Sequence, residues 1–293
     1  MTLHAPLAPA LAAKPSDPAL DFCLWPYARP RPPAPGALRT EALLDASFAL
    51  AGVGDVMPPI VEAIRARLGR FATVWGLKHM AGRLSWEFYV YDYARRERAH
   101  PSAAVLDALR PLIEVTAPTA DDAPWFMFSF EIDEAIARGR APLDRLDLYT
   151  GLPSDGISAG ICHGLGPEGL ELRNLYWFHD AATQAQDALA KALASPRFDA
   201  RRVAPEALFW PEMRAATLVV AQKRLFDGIY FSRIEADALL AFLRRAGFPP
   251  ALAAWTQAHL PALSHHLFDA GYDHSIGPDG AVTVEKGSVY GLL

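Results

Sequence analysis

Charged and phenolic side chains recur in this chain where β-strands are expected. Charged residues are depleted in strands, so each one placed there needs a reason. In residues 84–93, Leu84, Trp86, Phe88 and Val90 fall on one face, and Ser85, Glu87, Tyr89 and Tyr91 on the other. Arg145, Asp147 and Tyr149 share a face of a second run, while Leu146 and Leu148 take the opposite face. Glu171 and Arg173 pair up on a third run, Lys223 ends a fourth, and Lys286 and Tyr290 share a face of the last. Solvent-exposed strand faces would accommodate any one of these residues. Together they describe a pocket in which cations neutralise a phosphate or diphosphate and tyrosine faces shield a carbocation. A buried carboxylate such as Glu87 orients a nucleophile or takes its proton.

Other chemistries find little support. Gly164, Gly166 and Gly169 match the string G-x-G-x-x-G, but the segment that follows has strand periodicity and Pro167 sits inside the string, so a hairpin turn is expected. No P-loop and no G-x-S-x-G elbow occurs. Asp121-Asp122 lacks the second aspartate pair of a metal-binding D-D-x-x-D system. His265, His266, Asp269, Asp273 and His274 are the densest metal-competent set, but they fit no known ligand spacing and are expected to be structural.

The elements that must position these residues follow from the period of the apolar pattern. Residues 41–50, 58–68, a segment after Pro101, 180–194, 235–246 and 250–260 have helical stripes or composition. Strands are expected at 71–78, 84–93, 125–131, 145–150, 158–164, 170–178, 217–222, 226–231, 264–273 and 281–290. These make five adjacent pairs with short internal links, which means antiparallel hairpins. One face of each strand is apolar and the other polar or phenolic. Two architectures satisfy that pattern: an open sheet covered by helices on one side, and a closed barrel with helices outside and a polar lumen. Closure removes the edge strands, so the expected fold is α+β, a ten-stranded antiparallel β-barrel ringed by helices, wide enough to hold a ligand.

Bulk properties narrow the partners. The 293 residues are 52% hydrophobic and 21% charged, which suits a domain with a large core. The net charge of -5 argues against a nucleic-acid partner. No apolar run reaches the roughly 18 residues of a membrane span. Two cysteines, Cys23 and Cys162, build no disulfide framework, so a reducing, cytoplasmic setting is expected. The expected state is a monomer. Residues 1–36 hold nine of the 25 prolines and are expected to run extended over the surface, pinned by Phe22, Trp25 and Tyr27. Residues 37–293 then form a single barrel domain.

From about residue 55 onward the chain resembles the αββα-barrel (ABBA, or PT-barrel) aromatic prenyltransferases. Leu84-Ser-Trp-Glu87-Phe88 looks like that family's first-repeat strand, where an acidic residue precedes Phe and faces the substrates. Phe126-Met-Phe followed by Asp144-Arg145-Leu-Asp-Leu-Tyr149 is similar to the second repeat, and Leu172-Arg173-Asn174-Leu175-Tyr176 to the third. Lys286-Gly-Ser-Val-Tyr290 resembles the final strand, where Lys and the Tyr four places on bind diphosphate. The fourth-repeat arginine has no clean match; Lys223 and Arg224 stand nearest.

The resemblance implies αββα repeats and transfer of a dimethylallyl or geranyl group from its diphosphate to an electron-rich aromatic acceptor. Arg145, Arg173, Lys223, Lys286 and Tyr290 would bind the diphosphate. Tyr89, Tyr91, Tyr149 and Trp177 would hold the allylic cation, and Glu87 would position the acceptor. With no aspartate-rich motif, no cofactor is required and Mg²⁺ is optional. Two alternatives stay open: a non-catalytic barrel that binds a hydrophobic or aromatic metabolite, and a different enzyme on the same barrel.

Overall fold

A computed structural model describes residues 9–93, 97–152, 158–197 and 203–293. In chain order it contains α1 (Glu41–Ala51), α2 (Met57–Leu68), β1 (Val74–Met80), β2 (Arg83–Tyr91), α3 (Ser102–Leu109), β3 (Met127–Asp133), α4 (Glu134–Ala137), β4 (Leu146–Leu152), β5 (Ser158–Gly166) and β6 (Gly169–Asp180). It continues with α5 (Ala185–Leu193), α6 (Pro205–Leu208), β7 (Thr217–Lys223), β8 (Asp227–Glu235), α7 (Ala236–Arg245), α8 (Pro250–Ala258), α9 (Leu260–Leu263), β9 (Leu267–Ile276) and β10 (Val282–Leu292).

Every strand pairs antiparallel with its neighbours in sequence, and β1 pairs with β10, from Val74↔Leu292 to Met80↔Lys286. The sheet is therefore a closed ten-stranded barrel, and the open-sheet alternative falls. The turn between β1 and β2 shows how locally the hairpins are encoded. Ala81 and Gly82 both have positive φ, at 50° and 78°, the pairing a two-residue turn with matching twist requires. Several boundaries differ from expectation. Phe71 is not in a strand; its backbone turns at φ 62° while its N–H bonds to the Leu293 carbonyl. β6 runs on to Asp180, whose carboxylate accepts the Ala182 and Thr183 N–H groups, so the expected helix at 180–194 starts only at Ala185. A turn of helix, α9, delays the strand expected at 264 to Leu267.

The main core lies outside the barrel. Trp75, Leu77, Trp86, Phe88, Phe130, Phe231 and Phe268 point away from the axis and pack against the helices, all buried. Trp86 also donates its indole N–H to Ser47 of α1 at 2.8 Å, satisfying a polar group the core would otherwise strand. Each such aromatic contributes about 3 kcal/mol or more relative to alanine. With the apolar faces committed outward, the polar faces must line the lumen.

One end of that lumen is stoppered from within the chain. Residues 20–27 cross the end where β1 begins, and Phe22 enters the barrel, joining the inner cluster of Val74, Tyr89, Met127 and Tyr290. The Pro-rich segment is thus pinned, as its aromatics suggested, though Phe22 goes inside rather than over the surface; residues 1–8 lie outside the described residues. No helix among the described residues is long and apolar enough to cross a membrane.

Candidate active site in the barrel lumen

Two layers fill the lumen beyond the Phe22 stopper. The first is an arc of five tyrosines, one from the second strand of each hairpin: Tyr89 on β2, Tyr149 on β4, Tyr176 on β6, Tyr230 on β8 and Tyr290 on β10. Ring centroids follow one another at 5.9 Å (Tyr290–Tyr89) and then at 6.3 Å for Tyr89–Tyr149, Tyr149–Tyr176 and Tyr176–Tyr230. These spacings lie in the range of favourable aromatic pairs. Burial raises the pKa of all five phenols, which keeps them neutral. Small residues on neighbouring strands make room: the Tyr290 ring lies over Gly76, and the Tyr230 ring over Gly271.

The second layer is ionic and lies toward the other end. Lys78 Nζ sits 2.7 Å from Glu87 and 2.6 Å from Glu131. Glu87 also accepts from Ser129 at 2.5 Å and from the Tyr89 hydroxyl. Burial works against the Lys78 charge, but Glu131 and Glu87 outweigh it and hold its pKa well above the usual lysine value. Farther round the barrel, Asp273 takes Lys223 on one oxygen at 2.6 Å and Lys286 on the other at 2.8 Å. Lys223 also donates to the Tyr230 hydroxyl at 2.6 Å. Burial pulls Lys223 down to about 8; Asp273 opposes that fall, while the charges of Lys286 and Lys78 add to it. Burial likewise acts on Asp273, but its two lysines win and hold it far below the usual carboxylate range.

Arg173 reaches toward Asp147 at 3.8 Å and Glu171 at 3.7 Å. Burial, and then the Glu87 charge, raise the pKa of Asp147, one oxygen of which has no hydrogen bond among the described residues. Arg145 stands on the rim, about half exposed, 3.8 Å from Glu171. Lysine, arginine and tyrosine donors thus face one compartment, interleaved with carboxylates. Such a set can bind an anion that competes for the cations, hold an aromatic or cationic group beneath it, and offer Glu87 as a base.

Of the residues singled out from the sequence, Glu87, Tyr89, Tyr149, Arg173, Lys223, Lys286 and Tyr290 line this compartment. Arg145 reaches only its rim. Tyr91 is inside the barrel but at the stoppered end, where its hydroxyl donates to the Phe22 carbonyl. Trp177 is corrected: it faces outward beside Val220, with Lys191 of α5 lying 3.4 Å from its ring centroid. The cause is a bulge. Cys162 pairs with Asn174 and His163 with Leu172, so Arg173 is an extra residue and the parity of β6 shifts there. Tyr176 takes the inward place that simple alternation from Arg173 gives to Trp177.

Lys78, Glu131, Tyr176, Tyr230 and Asp273 were not anticipated as site residues. Lys78 had a usable signal, since it alternates with Val74 and Gly76 against Trp75 and Leu77. Among the described residues no cluster of three or more His, Cys, Asp or Glu side chains is arranged to hold a metal ion. The chain matches no protein-family model and no curated protein.

Proposed function

We propose that this chain is an aromatic prenyltransferase that moves a dimethylallyl or geranyl group from its diphosphate to an electron-rich aromatic acceptor. The observation that carries the proposal is the stacking of the two lumen layers: Lys78, Arg173, Lys223 and Lys286 stand directly beyond an arc of five neutral tyrosines. The diphosphate exchanges places with carboxylate partners and gains charge-assisted bonds from these cations, with Arg145 at the entrance. The allylic carbon–oxygen bond breaks, the electron pair leaves on the diphosphate, and the allylic cation lies against the tyrosine faces. The acceptor ring attacks the cation, and Glu87, already an acceptor of hydroxyl donors, takes the released proton.

One observation favours a second function, a barrel that binds a hydrophobic metabolite without chemistry. Lys78, Lys223 and Lys286 each already pair with a buried or half-buried carboxylate at 2.6–2.8 Å, an ionic layer that serves the fold even without a ligand.

Isothermal titration with geranyl thiodiphosphate, with and without Mg²⁺, on wild type and on Arg173→Ala and Lys286→Ala, separates the two. Micromolar binding that both substitutions abolish supports the diphosphate site. Absence of binding by the folded wild type sinks the transferase and leaves the binding barrel.

A further inference from the structure

Phe22 belongs to no strand, yet its ring lies inside the barrel. It stands 4.9 Å from the Tyr89 ring at an interplanar angle of 81°, and 4.8 Å from the Tyr290 ring at 58°. Edge-on and tilted contacts of this kind suit any aromatic ring, not phenylalanine in particular. The segment carrying it is held by a few polar contacts rather than by a strand ladder. Asp269 accepts the Phe22 N–H at 2.8 Å, and Tyr91 donates to the Phe22 carbonyl. Tyr93 donates to the Cys23 carbonyl at 2.5 Å, and Arg233 grips Asp21 at 2.7 Å and 2.9 Å. Leu24 turns at φ 57°, a left-handed conformation that is unfavourable for a residue with a side chain. A cleft lined by Asp21, Phe22, Tyr27, Asp269 and Tyr290 reaches this point from outside.

We propose that Tyr89 and Tyr290 form a binding site for a phenol, and that Phe22 occupies this site as an internal surrogate which the ligand displaces. The polar groups select the ligand class. When Phe22 withdraws, buried Asp269 loses an N–H donor and half-buried Tyr91 loses its acceptor. A hydroxyl on the incoming ring replaces both partners at once, donating to Asp269 and accepting from Tyr91. A ring without a hydroxyl donor leaves Asp269 Oδ2 without its partner, the other oxygen keeping the Arg233 N–H at 3.2 Å, and an unpartnered oxygen is costly in a buried carboxylate. The site rests on the lumen being the place of an aromatic acceptor, as proposed above, but requires no diphosphate and no transfer.

The test is titration of the full chain with 2-naphthol and with its methyl ether, in wild type, Phe22→Ala and Trp25→Ala. Trp25 is exposed on the same segment, so its replacement trims the segment without vacating the lumen. Phe22→Ala is expected to bind 2-naphthol roughly tenfold more tightly than wild type, with the ether weaker and Trp25→Ala unchanged. A folded Phe22→Ala that binds no better than wild type overturns the proposal, as does an equal gain in Trp25→Ala. Should Phe22→Ala fail to fold, hydrogen exchange of residues 20–27 in wild type decides. Saturating 2-naphthol speeds their exchange if Phe22 is displaced; unchanged or slower exchange overturns the idea. None of these measurements involves a prenyl donor, so a failed diphosphate titration leaves them interpretable.

Discussion

Lys223 on β7 and Asp273 on β9 meet at 2.6 Å across the intervening strand, and Gly228 of β8 is the residue they cross. A Cβ at Gly228 would lie 2.7 Å from the Asp273 carboxylate and 3.4 Å from the Lys223 side chain. The glycine is a window that lets two strands that are not neighbours share an ion pair. Arg173 on β6 leans toward Asp147 on β4 over Gly164 of β5 in the same way.

Asp273→Asn leaves two buried ammonium groups facing each other without their common counter-charge. It is expected to cost about 3–5 kcal/mol of folding stability, read as a lower urea midpoint. Gly228→Ala acts in the same direction through crowding, by about 1–3 kcal/mol. If both variants unfold at the wild-type midpoint, the ion pair is not formed in solution.

Gly164→Ala and Gly271→Ala should separate site from scaffold. At Gly164 the new methyl meets the Arg173 side chain, which can swing away, so stability changes little while affinity for geranyl thiodiphosphate falls roughly tenfold. At Gly271 the methyl collides with the Tyr230 ring, which is walled in by its neighbours, and a loss of about 3 kcal/mol is expected. Equal effects of the two variants on urea unfolding would contradict this division.

Glu87→Gln keeps the shape of the side chain and removes its capacity to take a proton. If the chain transfers prenyl groups, kcat should fall about 100-fold while KM for the donor stays within a factor of about two. A fall confined to KM would make Glu87 a binding residue, with the proton going elsewhere.

Stability should decline on acidification. Burial pushes His265 down to about 4 and, with the neighbouring His265 charge, His266 to about 3, both from an ordinary 6.5. Their contribution is fully present above pH 6.5 and is lost as pH falls through the folded values. Asp269 opposes them. Burial raises it from 3.8 to about 6, so its contribution is present below 3.8 and lost as pH rises through 6. Two histidines outweigh one aspartate, and urea midpoints should drop between about pH 6.5 and about pH 4. Asp269→Asn should steepen that drop; a flatter profile in the variant would reverse the assignment.

Much of this arrangement was legible because period-two patterning in residues 84–91 fixes both faces of β2 at once. Trp86 and Phe88 had to be buried among helices, so Glu87 and Tyr89 had to turn inward. The pattern misled where an extra residue entered a strand. No local composition marks the bulge at Arg173, because it is set by how β5 and β6 pair, and Trp177 was placed on the wrong side in consequence. Lys78 was overlooked for another reason: a lysine at the expected end of a strand is indistinguishable from a solvated one until Glu87 and Glu131 are seen beside it. Self-compensation is likewise invisible along the chain. Asp273 serves Lys223 from 50 residues away in sequence.

The seam between β1 and β10 sets a schedule for the growing polypeptide. Nine of the ten strand ladders join neighbours in sequence and can form as each hairpin emerges. The tenth waits for residues 282–292, which leave the ribosome after the other nine strands, and that strand also brings Lys286 and Tyr290. Until then β1 and β9 are bare edges, open to pairing with another molecule. Closing the sheet and completing the ionic and tyrosine layers of the lumen are therefore one late event, and a chain stopped short of β10 lacks both.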